Sequence, residues 1–546
     1  MYIKYLKMEN YRSFENVELW FDKEANYLVG ENDIGKSNFL DLLAIMSSGH
    51  GIVETDFRNV TKAIIITMEL CFLENNHEHF VDARIKMLCG RVRMEQTVEE
   101  IYPRLYMDKT NELLPLDTIR LIRYISHTAG QPEETFISSQ IYRRLEEQLS
   151  QCDGKEGIAD EKTMELIKER ERFGDFDSAY YSNVQHLFRL LHRTEHSMAD
   201  SMKFISTVAM KIITQVFVMY YSHAIPFQQA LIEDADGKRY LPLIISIDEP
   251  EVHLHPYMQR SVMAYYQEVL NNKDKEFCQL LKTLFGIDGL RGQLFIVTHS
   301  TDALVDDYRN IIRFYRDESD AVRAACGSTF NFGEEIEKHL IMHFPEVKES
   351  LYSRSVIIVE GETEYGCFRL FGNTLGCRFD YHGICLINAR GESSIARIKT
   401  LLERFKIPTV ALYDADVKAD HLRDSTVFFT DEICFEMDLV TAVMNRHKRE
   451  LLDQIIMQAS GGSTKVNNDM IQKATHKLDL NYHLYPPRRL QNISSRQMND
   501  LIVYYFAWLY SNKGVILGRI MGQHLGPEDI PSAFVTVIRK AVALSK

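Results

Sequence analysis

The chain has 546 residues, of which 45% are apolar and 26% charged, and its formal net charge at pH 7 is −14. This length predicts about three to four domains with apolar cores that need neither disulfides nor structural metals. The acidic balance excludes a protein that coats nucleic acid through bulk positive charge, but it permits a local basic groove. The nine cysteines contain no CxxC pair, which excludes a zinc ribbon and a secreted disulfide framework.

The chain lacks the hydrophobic patterns of export and membrane insertion. Its first residues, MYIKYLKMENYRSF, contain no apolar signal-peptide core, and no run of about 18 apolar residues occurs. The longest candidate, LIVYYFAWLY at 501–510, is too short to span a bilayer and predicts a buried helix. We therefore expect a cytoplasmic protein with reduced thiols and no membrane partner.

The first 50 residues have the pattern strand, turn, strand, loop, helix. VELWF alternates in polarity, NYLVG is a short apolar strand that ends at a glycine, and NFLDLLAIM has helical spacing. A densely charged stretch at about 133–197 then predicts helices. These helices either present a solvated face or form an insertion used for dimerisation.

Nearly continuous apolar runs return at 241–248 and 293–300, as is typical of parallel strands covered on both faces. A second strand–helix–strand series contains the strands SVIIVEG, GICLINA and TVALYDAD, after a boundary within 316–353. The pattern therefore predicts an α/β chain with two successive sheets.

The segment GENDIGKS matches GxxxxGK[ST] between a predicted strand and a predicted helix, which is the context of a phosphate-binding loop. Its glycines let backbone N–H groups converge on phosphate at a helix N-terminus. Lys36 would neutralise the β- and γ-phosphates of ATP, and Ser37 would bind the Mg²⁺ that accompanies the nucleotide. The predicted nucleotide-binding residues are Gly30, Asn32, Gly35, Lys36, Ser37, Asn38, Asp248 and His299.

Two further segments end apolar strands with polar side chains. In IISIDEPEVHLHP, the strand delivers Asp248 and Glu249 to the edge where ligands of α/β sheets bind. Asp248 would hold Mg²⁺ through water, and Glu249 would polarise the attacking water. In VTHS, His299 follows the next strand and would contact the γ-phosphate.

Four carboxylates follow two strands of the second series. VEGETEY places Glu360 at a strand end and Glu364 one helical turn later, and YDAD places Asp414 and Asp416 after another strand. Alternate residues on an extended chain point to one side, so we expect both aspartates to face one site. Such a cluster requires cations, and hard oxygen ligands favour Mg²⁺ or Mn²⁺. Two ions about 4 Å apart would clamp a phosphodiester.

The order of YRSF, GENDIGKS, IDEPEVHLHP and VTHS resembles the ABC-type ATPase heads of the SMC, RecF and OLD (overcoming lysogenization defect) proteins. The resemblance implies that two subunits sandwich ATP, and hence a homodimer or higher homo-oligomer. The strand-EGxxxE and strand-DxD pattern resembles the Toprim domain. A head at 1–345 followed by a Toprim domain with a helical C-terminal extension at 350–546 is similar to the OLD family of ATP-linked nucleases.

The resemblance implies further residues and partners. A metal-binding glutamate is expected after DxD; Glu436 in CFEMDL fits, with Glu432 as its competitor, and Lys513 in NKGVILGR fits a lysine that contacts the scissile phosphate. Within 481–546, eight Lys and Arg residues against three acids form a candidate DNA path, with a merely solvated surface as the alternative. Gabija-type and retron-associated relatives imply anti-phage defence, with a helicase, or a reverse transcriptase and its RNA–DNA product, as partner.

The leading hypothesis is an ATP-regulated, metal-dependent DNA endonuclease that uses one ion with ATP and two at the carboxylates. Glu360 would bind metal and act as general base, while Glu364, Asp414, Asp416 and Glu436 would complete the metal sites. One alternative is a RecF-like, ATP-dependent DNA-binding scaffold with an inert acidic domain. Another is a topoisomerase or primase, of which the topoisomerase needs a nucleophilic tyrosine.

Overall fold

A computed structural model describes residues 1–48, 51–72, 79–80, 88, 90–128, 208–209, 211–213, 215–216, 219–220, 227–252, 254–304, 307–419 and 424–546. The charged helical segment expected at about 133–197 lies outside these residues. The chain forms two compact units, Met1–Phe330 and Asn331–Lys546. Within the described ranges, no helix is both long and apolar enough to cross a bilayer.

The first unit contains two sheets and the helices that flank them. Its strands are β1 Tyr2–Tyr11, β2 Phe14–Trp20, β3 Ala25–Val29, β4 Ile64–Cys71, β5 His79–Phe80, β6 Gly90–Gln96, β7 Arg104–Met107, β8 Leu113–Leu114, β9 Arg123–Thr128, β10 Ile232–Glu233, β11 Arg239–Asp248, β12 Gly289–Val297, β13 Ile311–Arg316 and β14 Val322–Cys326. Its described helices of two turns or more are α1 Lys36–Ser48, α2 Pro256–Leu270 and α3 Lys275–Phe285.

One sheet is antiparallel, with strand order β2-β1-β4-β6-β7-β8. Along β4 every second side chain is buried and the others are half-buried, as expected for a sheet with a single covered face. The covered face joins the apolar core formed with α1 and the neighbouring sheet, around residues such as Leu6, Phe39 and Phe295.

The other sheet carries the predicted phosphate-binding loop. Its order is β14-β13-β3-β12-β11-β10-β5, and β13, β3, β12 and β11 run parallel. All five side chains of β3 are buried, because the strand is covered on both faces. Since parallel strands end at one edge, the residues that follow β3, β11 and β12 lie at the same edge.

The second unit contains a parallel sheet of order β16-β15-β17-β18, a two-stranded ribbon and a helical C-terminal part. Its strands are β15 Ser355–Val359, β16 Ile384–Asn388, β17 Thr409–Tyr413, β18 Val427–Phe429, β19 Lys465–Val466 and β20 Arg488–Arg489. Its helices are α4 Glu334–Val347, α5 Glu362–Thr374, α6 Phe379–His382, α7 Glu392–Arg404, α8 Phe435–Asn445, α9 Arg449–Ser460, α10 Asn468–Lys477, α11 Met498–Ser511, α12 Val515–His524 and α13 Ser532–Leu544.

The helical C-terminal part shares one core with the parallel sheet. The cluster joins Ile357 and Leu412 from the sheet to Phe506 of α11 and Phe534 of α13. Helix α11 contains the apolar stretch LIVYYFAWLY, and it is buried as predicted. The α/β class predicted for the chain is confirmed. Helix α4 falls in the second unit, where it packs against α7.

Candidate functional site

The predicted phosphate-binding loop depends on two glycines with positive φ. Gly30 has φ +142°, and a Cβ there would lie 2.6 Å from the backbone oxygen of Phe314. Gly35 has φ +112°, and its Cβ would lie 2.4 Å from Ser13 Oγ. Any larger residue would therefore open the loop. Helix α1 begins directly after it, at Lys36.

The side chain of Lys36 folds back onto the backbone of the phosphate-binding loop. Its side chain is buried, and Nζ donates hydrogen bonds to the carbonyl oxygens of Gly30 at 3.0 Å and Glu31 at 2.7 Å. Burial lowers the pKa of Lys36, because the charged form loses water, and the nearby carboxylates of Asp248 and Glu249 oppose this shift. The ammonium group is therefore anchored on the backbone of the loop itself.

The ends of β11 and β12 complete this edge. Asp248 Oδ2 accepts a hydrogen bond from Ser37 Oγ at 3.4 Å, and burial, with Glu249 beside it, raises the pKa of Asp248. The chain turns sharply at Glu249, which has φ +52°. The backbone N–H of His299 donates to Glu251 Oε1 at 2.6 Å, and burial lowers the pKa of the His299 imidazole.

These side chains surround an open cavity of about 450 Å³. Its volume lies within the range of small-molecule and cofactor sites. The cavity is lined by every predicted nucleotide-binding residue except Gly30. The lining residues are Asn32, Asp33, Gly35, Lys36, Ser37, Asn38, Asp248, Glu249, Val297 and His299.

Asn38 is held by residues that the sequence reasoning did not assign to the site. Its Nδ2 donates to Ser13 Oγ at 3.0 Å, and its Oδ1 accepts from Arg12 Nη1 at 3.2 Å. Arg12 also forms ion pairs with Asp41 and, at 2.8 Å, with Asp56. Arg12 and Ser13 belong to the segment YRSF, in the turn between β1 and β2. Two polar residues between two strands were the only sequence signal for their role.

In the second unit, the parallel sheet brings together two of the predicted carboxylates, those of Glu360 and Asp414. Strands β15 and β17 are neighbours, with Val359 opposite Leu412, so Glu360 and Asp414 leave the sheet at one edge. The backbone N–H of Asp414 donates a hydrogen bond to the Glu360 carboxylate. Burial outweighs this bond and raises the pKa of Glu360. Two residues 54 positions apart in the sequence are thus in contact.

Glu364 and Asp414 are buried side chains of the same cluster. Glu364 lies in the first turn of α5, as predicted, and Gly361 makes room for it: a Cβ there would lie 2.8 Å from Glu364 Oε2. Burial raises the pKa of Glu364 to about 8, with Glu436 and Asp414 adding to the effect. Burial also raises the pKa of Asp414 to about 7, although Phe435 N–H donates to its Oδ1 at 3.3 Å.

Glu436 also lies in this cluster, in the first turn of α8. Its side chain is 1% exposed, and Oε2 lies 2.9 Å from Lys513 Nζ. Burial lowers the pKa of Lys513, but the carboxylate of Glu436 together with the other acidic groups around it, Asp414 among them, outweighs burial, and the pKa of Lys513 is raised. Glu432 lies outside this cluster. Its backbone N–H donates a hydrogen bond to Asp438, and with Asp431 it lines a separate cavity.

Close packing of α5 against α12 carries Lys513 to the carboxylates. A Cβ on Gly366 would lie 2.4 Å from Val515 O, and one on Gly518 would lie 2.0 Å from Thr363 O. The two helices can approach only because both positions are glycine. The backbone N–H of Gly514 also donates to Thr363 Oγ1 at 3.1 Å.

The reasoning that placed Asp416 on the same side as Asp414 was wrong in its premise. The chain is not extended there, because a 3₁₀ turn covers Ala415–Val417. Asp416 instead forms an ion pair with Lys477, at the end of α10, which the sequence reasoning missed. Asp416 still lies close enough to raise the pKa of Glu360 further.

The carboxylates provide oxygen donors that suit Mg²⁺ or Mn²⁺. Two deeply buried oxygens, Glu360 Oε2 and Glu436 Oε1, have no hydrogen-bond partner among the described residues, which is costly unless a cation satisfies them. Within the described ranges, no three Asp, Glu, His or Cys side chains converge on one ion-sized position. Lys513 pairs with Glu436 and Lys477 pairs with Asp416, so these two carboxylates have ammonium partners that a cation would replace.

Two family models match the chain. The model of the overcoming lysogenization defect protein-like TOPRIM domain matches residues 351–416, and the model of the AAA ATPase domain matches 1–222 and 120–303. The first span contains Glu360, Glu364, Asp414 and Asp416, and the second contains the phosphate-binding loop.

Individual proteins match over smaller parts or with low identity. The DNA replication and repair protein RecF of Rickettsia rickettsii (strain Sheila Smith) is 37% identical over 62 residues, which is 11% of this chain and 17% of that protein. The C-terminal region of the Burkholderia pseudomallei OLD protein is 14% identical, with a TM-score of 0.24, over 36% of this chain and 100% of that one. An SMC head bound to the C-winged helix domain of ScpA is 13% identical, with a TM-score of 0.33, over 59% of this chain and 97% of that one.

The chain spans only about a sixth of the length of the RecF protein it matches. The AAA ATPase model, by contrast, covers residues 1–303, more than half of the 546 residues. The chain therefore belongs to the AAA ATPase domain family over its first part, and the OLD-like TOPRIM domain that follows gives it the ATPase–Toprim combination of the OLD family.

Proposed function

We propose that this protein is an ATP-regulated, divalent-metal-dependent DNA endonuclease. The position of Glu360 beside Asp414 carries the proposal, because two acidic residues from separate strand ends meet at one edge of a parallel sheet. Glu364 and Glu436 are buried in the same cluster, and Lys513 lies beside them. Cation ligands and a positive group beside the phosphate are the combination by which metal-dependent enzymes cleave phosphodiesters.

Each side chain has a role in the proposed reaction. Glu360, Glu364, Asp414, Asp416 and Glu436 would hold two Mg²⁺ or Mn²⁺ ions, which supply an activated water and a charge clamp when bound. The side chain of Glu360 accepts the proton of the attacking water. The ammonium group of Lys513 binds the scissile phosphate and stabilises the negative charge that develops on it.

In the first unit, ATP would bind in the cavity lined by the phosphate-binding loop. Lys36 would bind the β- and γ-phosphates, Ser37 and Asp248 would hold one further Mg²⁺, and Glu249 would polarise the attacking water. His299, at the end of β12, would contact the γ-phosphate. Because the nucleotide of an ABC-type head is shared between two subunits, the protein would work as a homodimer or higher homo-oligomer.

The test incubates supercoiled plasmid with the full-length protein and Mg²⁺ or Mn²⁺. We expect nicked or linear DNA from the wild type and a loss of at least 100-fold in rate for Asp414→Asn and Glu360→Gln, since each removes a cation ligand but keeps the side-chain volume. The matched pair Glu436→Gln and Glu432→Gln separates the two glutamates: only the first should impair cleavage.

Retained cleavage in both Asp414→Asn and Glu360→Gln would refute the assigned site. No cleavage by the wild type with any cation, together with intact ATP-dependent DNA binding, would favour the alternative of a RecF-like DNA-binding scaffold with an inert Toprim domain. The 37% identity to RecF over 62 residues is the observation that keeps this alternative in the test.

The biological role that we propose is anti-phage defence in a bacterium, in which a helicase, or a reverse transcriptase with its RNA–DNA product, controls access to DNA. Deletion of the gene from its host, followed by phage plating, tests this role. Equal plating of every phage on the deletion strain and on the wild-type strain would contradict it.

A further inference from the structure

Lys477 is a second lysine at the carboxylate site, in addition to Lys513. It is the last residue of α10, and its ammonium group pairs with Asp416, which lies 61 positions earlier in the chain. The side chain of Lys477 is only 21% exposed and that of Asp416 33%. This pair is therefore more enclosed than the usual ion pairs of a protein surface.

The neighbouring lysine of the same helix behaves differently. Lys473, one turn earlier, pairs with Asp469 of its own helix, and their side chains are 55% and 68% exposed. Such an i,i+4 pair is a common surface contact that contributes little. Lys477 has no such local role, and it reaches from the helical C-terminal part to one of the DxD carboxylates.

Lys477 and Lys513 are arranged in the same way. Each comes from the helical C-terminal part, and each pairs with one carboxylate of the cluster: Lys513 with Glu436 and Lys477 with Asp416. Tyr510 of α11 lies near both, since Lys513 Nζ is 4.4 Å from its ring centre and Tyr510 is close enough to Lys477 to affect the pKa of that lysine. Each ammonium group thus pairs with a carboxylate oxygen that a cation would use.

We propose that Lys477 is an internal counter-ion of the Toprim carboxylates: it neutralises Asp416 in the metal-free protein, is displaced when a divalent cation binds, and then contacts a phosphate of the DNA backbone. The proposal rests on the proposed function. A monovalent ammonium group and a divalent ion compete for the same carboxylate oxygen, so binding of the ion releases Lys477. Phosphate is a suitable new partner for a flexible lysine, which binds it as a point charge.

The first experiment measures Mn²⁺ binding to the full-length protein without nucleotide or DNA, by calorimetry. The relevant binding is the part that Asp414→Asn abolishes. We expect Lys477→Gln to bind this Mn²⁺ about tenfold more tightly than the wild type, because a competing charge has been removed. Lys473→Gln is the matched control and should leave the affinity unchanged, and Lys477→Arg should retain the wild-type value.

Equal or weaker Mn²⁺ binding by Lys477→Gln would overturn the proposal. So would the absence of any Mn²⁺ binding that depends on Asp414. The melting temperature of each variant establishes that it is folded. These results are independent of cleavage: a wild type that binds Mn²⁺ through Asp414 but never cuts DNA refutes the proposed nuclease and still tests Lys477.

The second experiment measures binding of a labelled 30-base-pair duplex by fluorescence anisotropy, with Ca²⁺ and with EDTA. With Ca²⁺, Lys477→Gln should bind several-fold more weakly than the wild type, and the slope of log affinity against log salt should fall by about one. With EDTA, the two proteins should bind equally. An equal loss under both conditions would contradict displacement and make Lys477 an ordinary phosphate contact.

Discussion

Lys36 stabilises the backbone of its own loop and is also the residue expected to bind the phosphates of ATP. In the structure it donates to two carbonyl oxygens of its own loop, Gly30 O and Glu31 O. These bonds satisfy a buried ammonium group that would otherwise be costly. A phosphate would offer the same group a stronger, charged acceptor.

We expect Lys36→Ala to weaken ATP binding at least tenfold, because the variant loses the charge-assisted contact to phosphate. Titration with a fluorescent ATP analogue measures the effect. Lys62→Ala, which changes an exposed lysine in the same unit, serves as the control. Unchanged affinity in Lys36→Ala would contradict the nucleotide site.

His127 in β9 makes the stability of the protein depend on pH. It is 2% exposed, its Nδ1 is 2.6 Å from Tyr266 Oη, and its Nε2 has no partner among the described residues. Burial lowers the pKa of His127 to about 3. The unfolded chain therefore binds a proton below about pH 6.5 that the folded protein does not, so stability is present above that pH and is lost as pH falls.

Between pH 7 and pH 5, this residue should cost the protein about 2 kcal/mol in free energy of unfolding. Urea unfolding at the two pH values, compared between the wild type and His127→Gln, measures it. The variant should show a smaller decrease in stability. An identical decrease in both proteins would exclude His127 as its source.

At the scale of elements, the sheet edges of the site were predictable and the helix contacts were not. Apolar runs that end in DE, VTHS, EG and DAD place their polar residues after β11, β12, β15 and β17, because parallel strands end at one edge. Asp416 was predicted from an extended chain, but the chain turns directly after Asp414. Lys477 was not predicted, because its partner lies 61 residues away and no local pattern marks it.

The contact between α5 and α12 is one of the helix contacts that the sequence did not predict. Lys513 was assigned through a family resemblance, whereas the reason for its position is the pair Gly366 and Gly518. Isolated glycines in helical sequences indicate close approach, but they do not indicate which helix approaches. Only the three-dimensional structure identifies the partner.

Gly518→Val should separate these helices and withdraw Lys513 from Glu436. A Cβ at this position would lie 2.0 Å from Thr363 O, and we expect a destabilisation of about 2 kcal/mol and at least a tenfold loss of plasmid nicking. Gly333→Ala is the control, since nothing lies within 4 Å of a Cβ there. Wild-type nicking by Gly518→Val would show that the close contact is not needed to position Lys513.

At the scale of the whole molecule, the chain contains two compact units with separate candidate sites. The cavity at the phosphate-binding loop belongs to Met1–Phe330, and the carboxylate cluster belongs to Asn331–Lys546. A ligand that binds only the folded form of a unit raises its stability in proportion to its affinity and concentration. Each site should therefore respond to its own ligand.

We expect Mn²⁺ to raise the melting temperature of the wild type and of Lys36→Ala, and to have a much smaller effect on the double variant Glu360→Gln/Asp414→Asn. ATP with EDTA should stabilise that double variant and leave Lys36→Ala unchanged. Differential scanning fluorimetry measures both effects. Loss of both responses in either variant would contradict separate sites.

The last helix of the chain packs on the sheet that carries the carboxylates. Ser355 at the start of β15 donates through Oγ to the carbonyl oxygen of Ala541 at 2.9 Å, and Phe534 and Val537 of α13 lie in the same core as Ile357. A ribosome synthesises β15 long before it synthesises α13, and a domain closes its core only when all its parts are present. We therefore expect the carboxylate cluster to assemble around its buried core only after translation has passed residue 541, so that under the proposed function a nascent chain would acquire its DNA-cleaving site last.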